Sequence, residues 1–326
     1  MRDTPDLALV LRPIQADLAA VVRRILQELR DPVARRVAYL VTAGGKRLRP
    51  GLVLLSGLRG PSPDRRALRD AAAAVEMIHT ATLIHDDIVD SATTRRQRPA
   101  FHRRWGAERA VLTGDYLYAS AFSLLARLRQ ADPLRIMADV CQQLSRGELL
   151  EVEARYRLDL SEAEYFDIIR DKTASLIAGC CQIGASLSGA SPRILRRLGE
   201  FGLNFGMAFQ IVDDCLDLTG DPRRLGKSIL ADLDKGALSL PIIYLAQTLS
   251  LRQRRTLFEP LRRRATDPAS LAKIATAAHA SGSLGQAMRR AEQFAERAQA
   301  CIAQAGVDGF GQTYQELARY ALVRGE

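Results

Sequence analysis

The chain is poor in the features that mark strands, disulfide scaffolds and membrane spans. Aromatic residues make up only 6% of its 326 residues, while Ala, Leu and Arg dominate, a mix that favours helices over strands. Cysteine is sparse and odd in number: Cys141, Cys180, Cys181, Cys215 and Cys301. No CxxC pair occurs, and adjacent Cys180 and Cys181 suggest neither a disulfide framework nor a zinc site, so a reduced, cytoplasmic protein is expected. No window approaches the ~20 apolar residues of a membrane span, so no stable membrane insertion is expected. The opening MRDTPDLALVLRPIQ is too acidic, and its apolar run too short, for a signal peptide. Neither a basic tail nor a basic–aromatic stripe points to nucleic acid, which is not expected as a partner.

What is present is a large apolar fraction, 47%, with 26% charged residues: enough for a substantial core and a solvated surface. The net charge of +10 suits anionic partners, although much of it is Arg scattered singly over predicted helices, where a solvated surface explains it. Apolar spacing predicts helices over 7–30, 64–90, 106–129, 133–157, 161 towards 189, and 192–218. Shorter helices are predicted over 238–249, 252–263, 267–281, 284–305 and 308–323. Asp31-Pro32 reads as a stop, and TAGGKRLRPG (42–51) as a Gly-bounded basic turn. SATTRRQRP (91–99) is a polar exit and TGDPRRLGKS (219–228) a loop. Ser161 with Glu164 three residues on is a capping-box pattern. With no linker and no repeat, residues 1–326 read as one all-α domain, a helical bundle around a central space.

Two segments share one pattern. Asp86-Asp87-Ile88-Val89-Asp90 and Asp213-Asp214-Cys215-Leu216-Asp217 are both DDxxD, each at the C-terminal end of an apolar helix. Asp86 and Asp90 are four residues apart, as are Asp213 and Asp217, so each pair shares a helix face. Like charges so spaced destabilise a helix, and apolar surroundings make uncompensated carboxylates costly. A cation removes both penalties. Hard oxygen ligands without a Cys or His pair favour Mg²⁺, which bridges a few carboxylates to phosphate oxygens. Two such clusters on facing helices would clamp a diphosphate. An acidic helix end in water explains one DDxxD well, and two poorly.

Basic residues answer the clusters. GGKRLRP supplies Lys46 and Arg49; Arg95 and Arg96 follow the first cluster; Lys172-Thr173 lies in the apolar stretch DKTASLIAGC; Lys227 follows the second cluster in LGKS. Arg matches phosphate oxygens bidentately and Lys acts as a point charge. Any one of them alone is more simply a surface cation.

The ordered set GGKRLRP, LIHDDIVDSATTRRQRP, DKTASL, GMAFQIVDDCLDLTGD and LGKSILADL, over roughly residues 40 to 245, resembles the trans-polyprenyl diphosphate synthases. The resemblance implies an isoprenoid synthase-type bundle around a central cavity. It implies head-to-tail condensation of isopentenyl diphosphate onto an allylic diphosphate, with three Mg²⁺ per active site and a homodimer. Lys46, Arg49, His79 and Arg96 would hold isopentenyl diphosphate. Asp86 and Asp90, with Asp87 assisting, would bind Mg²⁺ against the allylic diphosphate; Asp213 would carry another Mg²⁺, with Asp214 and Asp217 orienting its surroundings. Arg95, Lys172 and Lys227 would hold the allylic diphosphate, with Thr173 and Gln210 beside its reacting carbon. His79, nearly two turns before Asp86, shares its face.

The resemblance implies that the growing chain runs past the residues just before the first cluster, so small Ala81 and Thr82, five and four positions before Asp86, would leave the tunnel open to a product longer than farnesyl. Phe122 is a candidate floor, though core packing explains it more simply. Two departures stand out: Gln97 replaces the usual Gly after the Arg pair, and Ala237 replaces the Lys of the GKPTLP-like stretch, with Lys235 two positions earlier as a substitute. A class I terpene cyclase would carry a different second metal motif, squalene synthase a DxxxD pattern, and a non-catalytic partner subunit would lose the aspartates.

Overall fold

An aspartate-capped run of small and aliphatic residues builds the centre of the molecule. In the computed structural model, which describes residues 7–58, 60–219, 230–305 and 311–323, helix α5 spans Arg65–Val89. The Asp64 carboxylate accepts from the Arg66 and Ala67 N–H groups and caps it. Ala71, Ala72, Ala73 and Ala74 are all fully buried, so this stretch of the helix is enclosed on every side.

Ahead of it lie α1 (Leu7–Leu11), α2 (Gln15–Glu28), α3 (Val33–Val41) and α4 (Leu48–Leu58). After it a two-residue hairpin, β1 (Thr94–Arg95) against β2 (Arg98–Pro99), leads to α6 (Phe101–Trp105), α7 (Ala107–Ala126) and α8 (Asp132–Ala154). Helices α9 (Glu162–Ile169), α10 (Ser175–Leu187) and α11 (Pro192–Thr219) follow. Beyond residue 230 come α12 (Ala231–Asp234), α13 (Leu240–Thr248), α14 (Leu251–Leu257), α15 (Glu259–Arg262), α16 (Pro268–Ala280), α17 (Ser283–Ala305) and α18 (Gly311–Val323).

The packing forms two apolar clusters joined lengthwise. Phe201, Phe205 and Ala208 of α11 belong to the cluster around α4, α5 and α10. One to two turns on, Ile211, Val212 and Cys215 belong to the cluster that includes α13 and α16. Helix α17 likewise contributes Ala287 and Ala291 to one and Ala295 and Ala298 to the other. The fold is all-α: among the described residues the hairpin is the whole of the sheet, and no helix is long and apolar enough to cross a membrane.

Three local features depart from the sequence expectation. The basic turn after Gly45 is shorter than expected, because α4 already starts at Leu48. Pro50 falls in its first turn, where a missing N–H leaves no bond unmade, so Arg49 is helical. Val33–Val41, past the Asp31-Pro32 stop, forms a helix of its own. The Ser161 capping box forms as expected, but its helix changes pitch: Arg170–Ala174 is a π-helical turn, with the Ser175 N–H bonded to the Arg170 carbonyl. This turn lies directly on α8. A Cβ at Gly147 would stand 2.4 Å from the Lys172 backbone nitrogen, so only glycine allows the approach.

Candidate active site

The C-terminal halves of α5 and α11, the π-helical turn and the inner face of α8 enclose a cavity of about 1050 Å³. From α5 it is lined by His79, Thr82, Asp86 and Asp90, the stripe that helical spacing places on one face. Asp86 is largely buried. Its carboxyl is pushed up to about 7, by burial first and then by Glu148. Lys172 and Arg95 pull the other way without outweighing burial, and a divalent cation would supply the further positive charge. Asp90, by contrast, is met by two protein cations, with Arg155 Nη2 at 2.7 Å and Lys235 Nζ at 3.1 Å.

Asp87, expected to assist at the metal, is placed differently from its neighbours. It lies about 100° around the helix from Asp86, is 1% exposed, and is absent from the main cavity wall. Arg95 grips it, Nε at 2.9 Å and Nη2 at 2.5 Å. Arg95 itself lines the cavity, but its guanidinium already serves this buried partner.

The residues expected to hold isopentenyl diphosphate come together in part. Arg49 Nη1 lies 3.2 Å from His79 Nε2, and both line the cavity. Burial, reinforced by Arg49, holds the His79 imidazole neutral, well below its ordinary range. The buried Arg49 Nε makes no hydrogen bond, an orphaned donor that suits an anionic ligand. Arg96 lines the cavity too and donates to the Gly44 carbonyl. Lys46 does not join them: its Nζ bonds the Tyr320 hydroxyl at 2.5 Å on α18 and faces that ring.

Across the cavity, the π-helical turn presents Lys172 and Thr173. Lys172 Nζ stands 2.9 Å from Glu148 and also bonds Glu151. Burial alone would lower its pKa, but Glu151, Glu148 and Asp86 outweigh it and keep the ammonium charged. Thr173 Oγ1 donates to Gln210 Oε1 at 2.8 Å, and Gln210 Nε2 donates to Asp214 Oδ1 at 2.7 Å. The Tyr165 hydroxyl donates to the other Asp214 oxygen at 2.7 Å. Burial still pushes the Asp214 carboxyl up to about 8, against both hydrogen bonds. Asp213 lines the cavity, whereas Asp217 is 3% exposed and is not part of its wall. Lys227 lies outside the described residues.

The donor set fits Mg²⁺: Asp86, Asp90, Glu148, Asp213 and Asp232 offer carboxylate oxygens to one space. Among the described residues no three such side chains close into a cage. A cation held here would retain waters and take phosphate oxygens.

The chain-length residues divide. Thr82 lines the cavity; Ala81 is fully buried and is not in its wall, because it lies about 140° around α5 from Asp86. Phe122 packs against the apolar core, as the simpler reading had it, and Tyr118 one turn earlier lines the cavity, stacked 6.1 Å from His85. Tyr118, Tyr165 and the α8 stripe Glu148, Glu151 and Arg155 were not singled out from sequence. The helical spacing of that charged stripe was the available signal.

The polyprenyl synthetase family model matches residues 30–278. An all-trans-nonaprenyl-diphosphate synthase (geranyl-diphosphate specific) of Rhodobacter capsulatus is 34% identical over 318 residues, 97% of each chain. Heptaprenyl diphosphate synthase component 2 of Geobacillus stearothermophilus is 41% identical over 231 residues, 70% of this chain and 72% of that one. Among solved structures, a polyprenyl synthase from Caulobacter crescentus CB15, complexed with calcium and isoprenyl diphosphate, superposes with a TM-score of 0.94. It is 33% identical and covers 100% of both chains.

Proposed function

The chain belongs to the polyprenyl synthetase family and is a prenyltransferase, and we propose that it extends an allylic diphosphate past farnesyl length by adding isopentenyl diphosphate. Relatives named as heptaprenyl, nonaprenyl and geranylgeranyl diphosphate synthases support that product range. The observation that carries the site assignment is the convergence of Asp86, Asp90 and Asp213 with Arg49, His79, Arg96 and Lys172 on one cavity.

Bound Mg²⁺, three ions per site in this reading, would neutralise the leaving diphosphate from Asp86, Asp90 and Asp213. The chain's own residues do the rest. Arg49, neutral His79 and Arg96 hold isopentenyl diphosphate. Lys172 faces the allylic diphosphate, whose C–O bond breaks with the electron pair leaving on oxygen. The isopentenyl double bond then attacks the allylic carbon, and a proton is lost to the departed diphosphate. The Thr173–Gln210–Asp214–Tyr165 chain of hydrogen bonds orients the Thr173 and Gln210 oxygens beside that carbon. Leu144, Ile168, Leu176 and Phe209 wall the cavity and exclude water that would quench the allylic cation.

The whole chain, 1–326, is read as one cytoplasmic domain. Val111 and Leu112 on α7 and Leu149 and Val152 on α8 are exposed apolar residues, which would suit contact with a second copy in a homodimer. Incubation with Mg²⁺, labelled isopentenyl diphosphate and allylic starters of increasing length tests the reading. Products longer than farnesyl are expected. Mainly farnesyl diphosphate overturns the length assignment, and no turnover with any starter favours a non-catalytic partner subunit.

A further inference from the structure

Position 237 carries Ala where the resemblance leads one to expect Lys, yet the cavity is not short of a cation there. Ala237 lines it with a methyl group, while Lys235 reaches across to Asp90 Oδ2 at 3.1 Å. Arg155, from the end of α8, meets the other Asp90 oxygen at 2.7 Å. The two cations arrive from segments that are built to meet. The Tyr156 N–H donates to the Gly236 carbonyl at 2.8 Å. Gly236 has φ +80°, and a Cβ on it would stand 2.5 Å from the Tyr156 ring. The Lys235-Gly236 turn therefore packs its backbone on Arg155-Tyr156, and both neighbouring side chains project to the same carboxylate. The Arg155 Nε is buried and has no hydrogen-bond partner, so this guanidinium has a donor to spare.

We propose that Lys235, paired with Arg155, is a positioning residue for the first aspartate cluster, and that it replaces the Lys missing at 237. The proposal rests on the reading of this cavity as a diphosphate site. Before substrate binds, the pair neutralises Asp90 and fixes its orientation. Once diphosphate is present, the same two cations face its oxygens, and Asp90 is left to the metal.

The test compares wild type, Lys235→Ala and the double variant Lys235→Ala/Ala237→Lys. Binding of inorganic pyrophosphate in the presence of Mg²⁺ is read by calorimetry, alongside melting temperature and steady-state rates. Lys235→Ala is expected to weaken pyrophosphate about tenfold and to lower kcat by a similar factor, the scale for losing one partly buried charge contact. KM for isopentenyl diphosphate should stay unchanged, and the double variant should recover most of both losses. Wild-type pyrophosphate affinity in Lys235→Ala overturns the proposal, making the contact a surface ion pair. A loss that the lysine at 237 does not recover, or one that follows melting temperature, also overturns it. Failure of the wild type to turn over any starter would instead count against the reaction assigned above, because pyrophosphate binding is measured without turnover.

Discussion

The two aspartate clusters have the same spelling and solve the burial of their middle carboxylate in opposite ways. Asp87 is neutralised by a charge, the Arg95 guanidinium, on the side of α5 away from the cavity. Asp214 lines the cavity and is held by two neutral donors, the Tyr165 hydroxyl and the Gln210 amide. An ion pair offsets the charge of a buried carboxylate; neutral donors orient one without doing so, and burial pushes the Asp214 carboxyl up to about 8. The first cluster is thus anchored electrostatically beside the site, and the second is wired by hydrogen bonds into Thr173 on the cavity wall.

Substitutions at the cavity-facing positions should have the largest effect. Asp86→Asn or Asp213→Asn is expected to lower kcat by about 10⁴-fold, from lost charge stabilisation of the leaving group. Steady-state assays at saturating Mg²⁺ check this, and a loss below tenfold would remove that cluster from the chemistry. The middle positions then test the contrast directly. Arg95→Ala leaves Asp87 charged and unpaired in the interior, and should destabilise the fold by about 3 kcal/mol in denaturant unfolding. Tyr165→Phe removes a neutral bond and should cost about 1 kcal/mol, while lowering kcat more than Arg95→Ala does per unit of lost stability. Equal stability losses would erase the distinction between the clusters.

The pH response is smaller and has a definite sign. Asp86, at about 7, and Asp214, at about 8, both lie above the ordinary carboxyl value of 3.8. The folded state therefore holds protons that the unfolded chain has released. The stability this gives is complete below the unfolded value and is lost as pH rises through 7 and 8. Metal binding must displace those protons, so the rise in melting temperature caused by Mg²⁺ with pyrophosphate should be larger at about pH 8.5 than at about pH 6. Asp214→Asn should remove the upper limb of the profile and Asp86→Asn the lower. The smallest effect is expected in the hairpin that delivers Arg95. Arg96 and Gln97 both adopt left-handed φ, 51° and 60°. Gln97→Gly should relieve strain there and stabilise by about 0.5 kcal/mol without altering the second cluster, as unfolding titrations would show.

Much of this site was legible from spacing. His79, Thr82 and Asp86 share a face because the helix repeat requires it, and Ser161 with Glu164 capped α9 as their types dictate. The same arithmetic, carried one step further, would have turned Asp87 and Ala81 away from the cavity. The family pattern placed them in it because a motif lists residues without their angle on the helix. The contact of Lys46 was hidden for another reason: its partner Tyr320 lies on α18, at the far end of the chain.

The amino-acid order by itself determined the helical class, the two carboxylate clusters and the excess of cations near them, because helix periodicity and like-charge repulsion act within one segment. Tertiary structure decided which carboxylate meets which cation or neutral donor. Asp87 goes to Arg95, Asp90 to Arg155 and Lys235, and Asp214 to Tyr165. It also introduced the π-helical turn that lays Lys172 on Gly147 of α8. Such pairings depend on close approach between segments remote in the chain, and an interior charge is stabilised only by the group that actually reaches it.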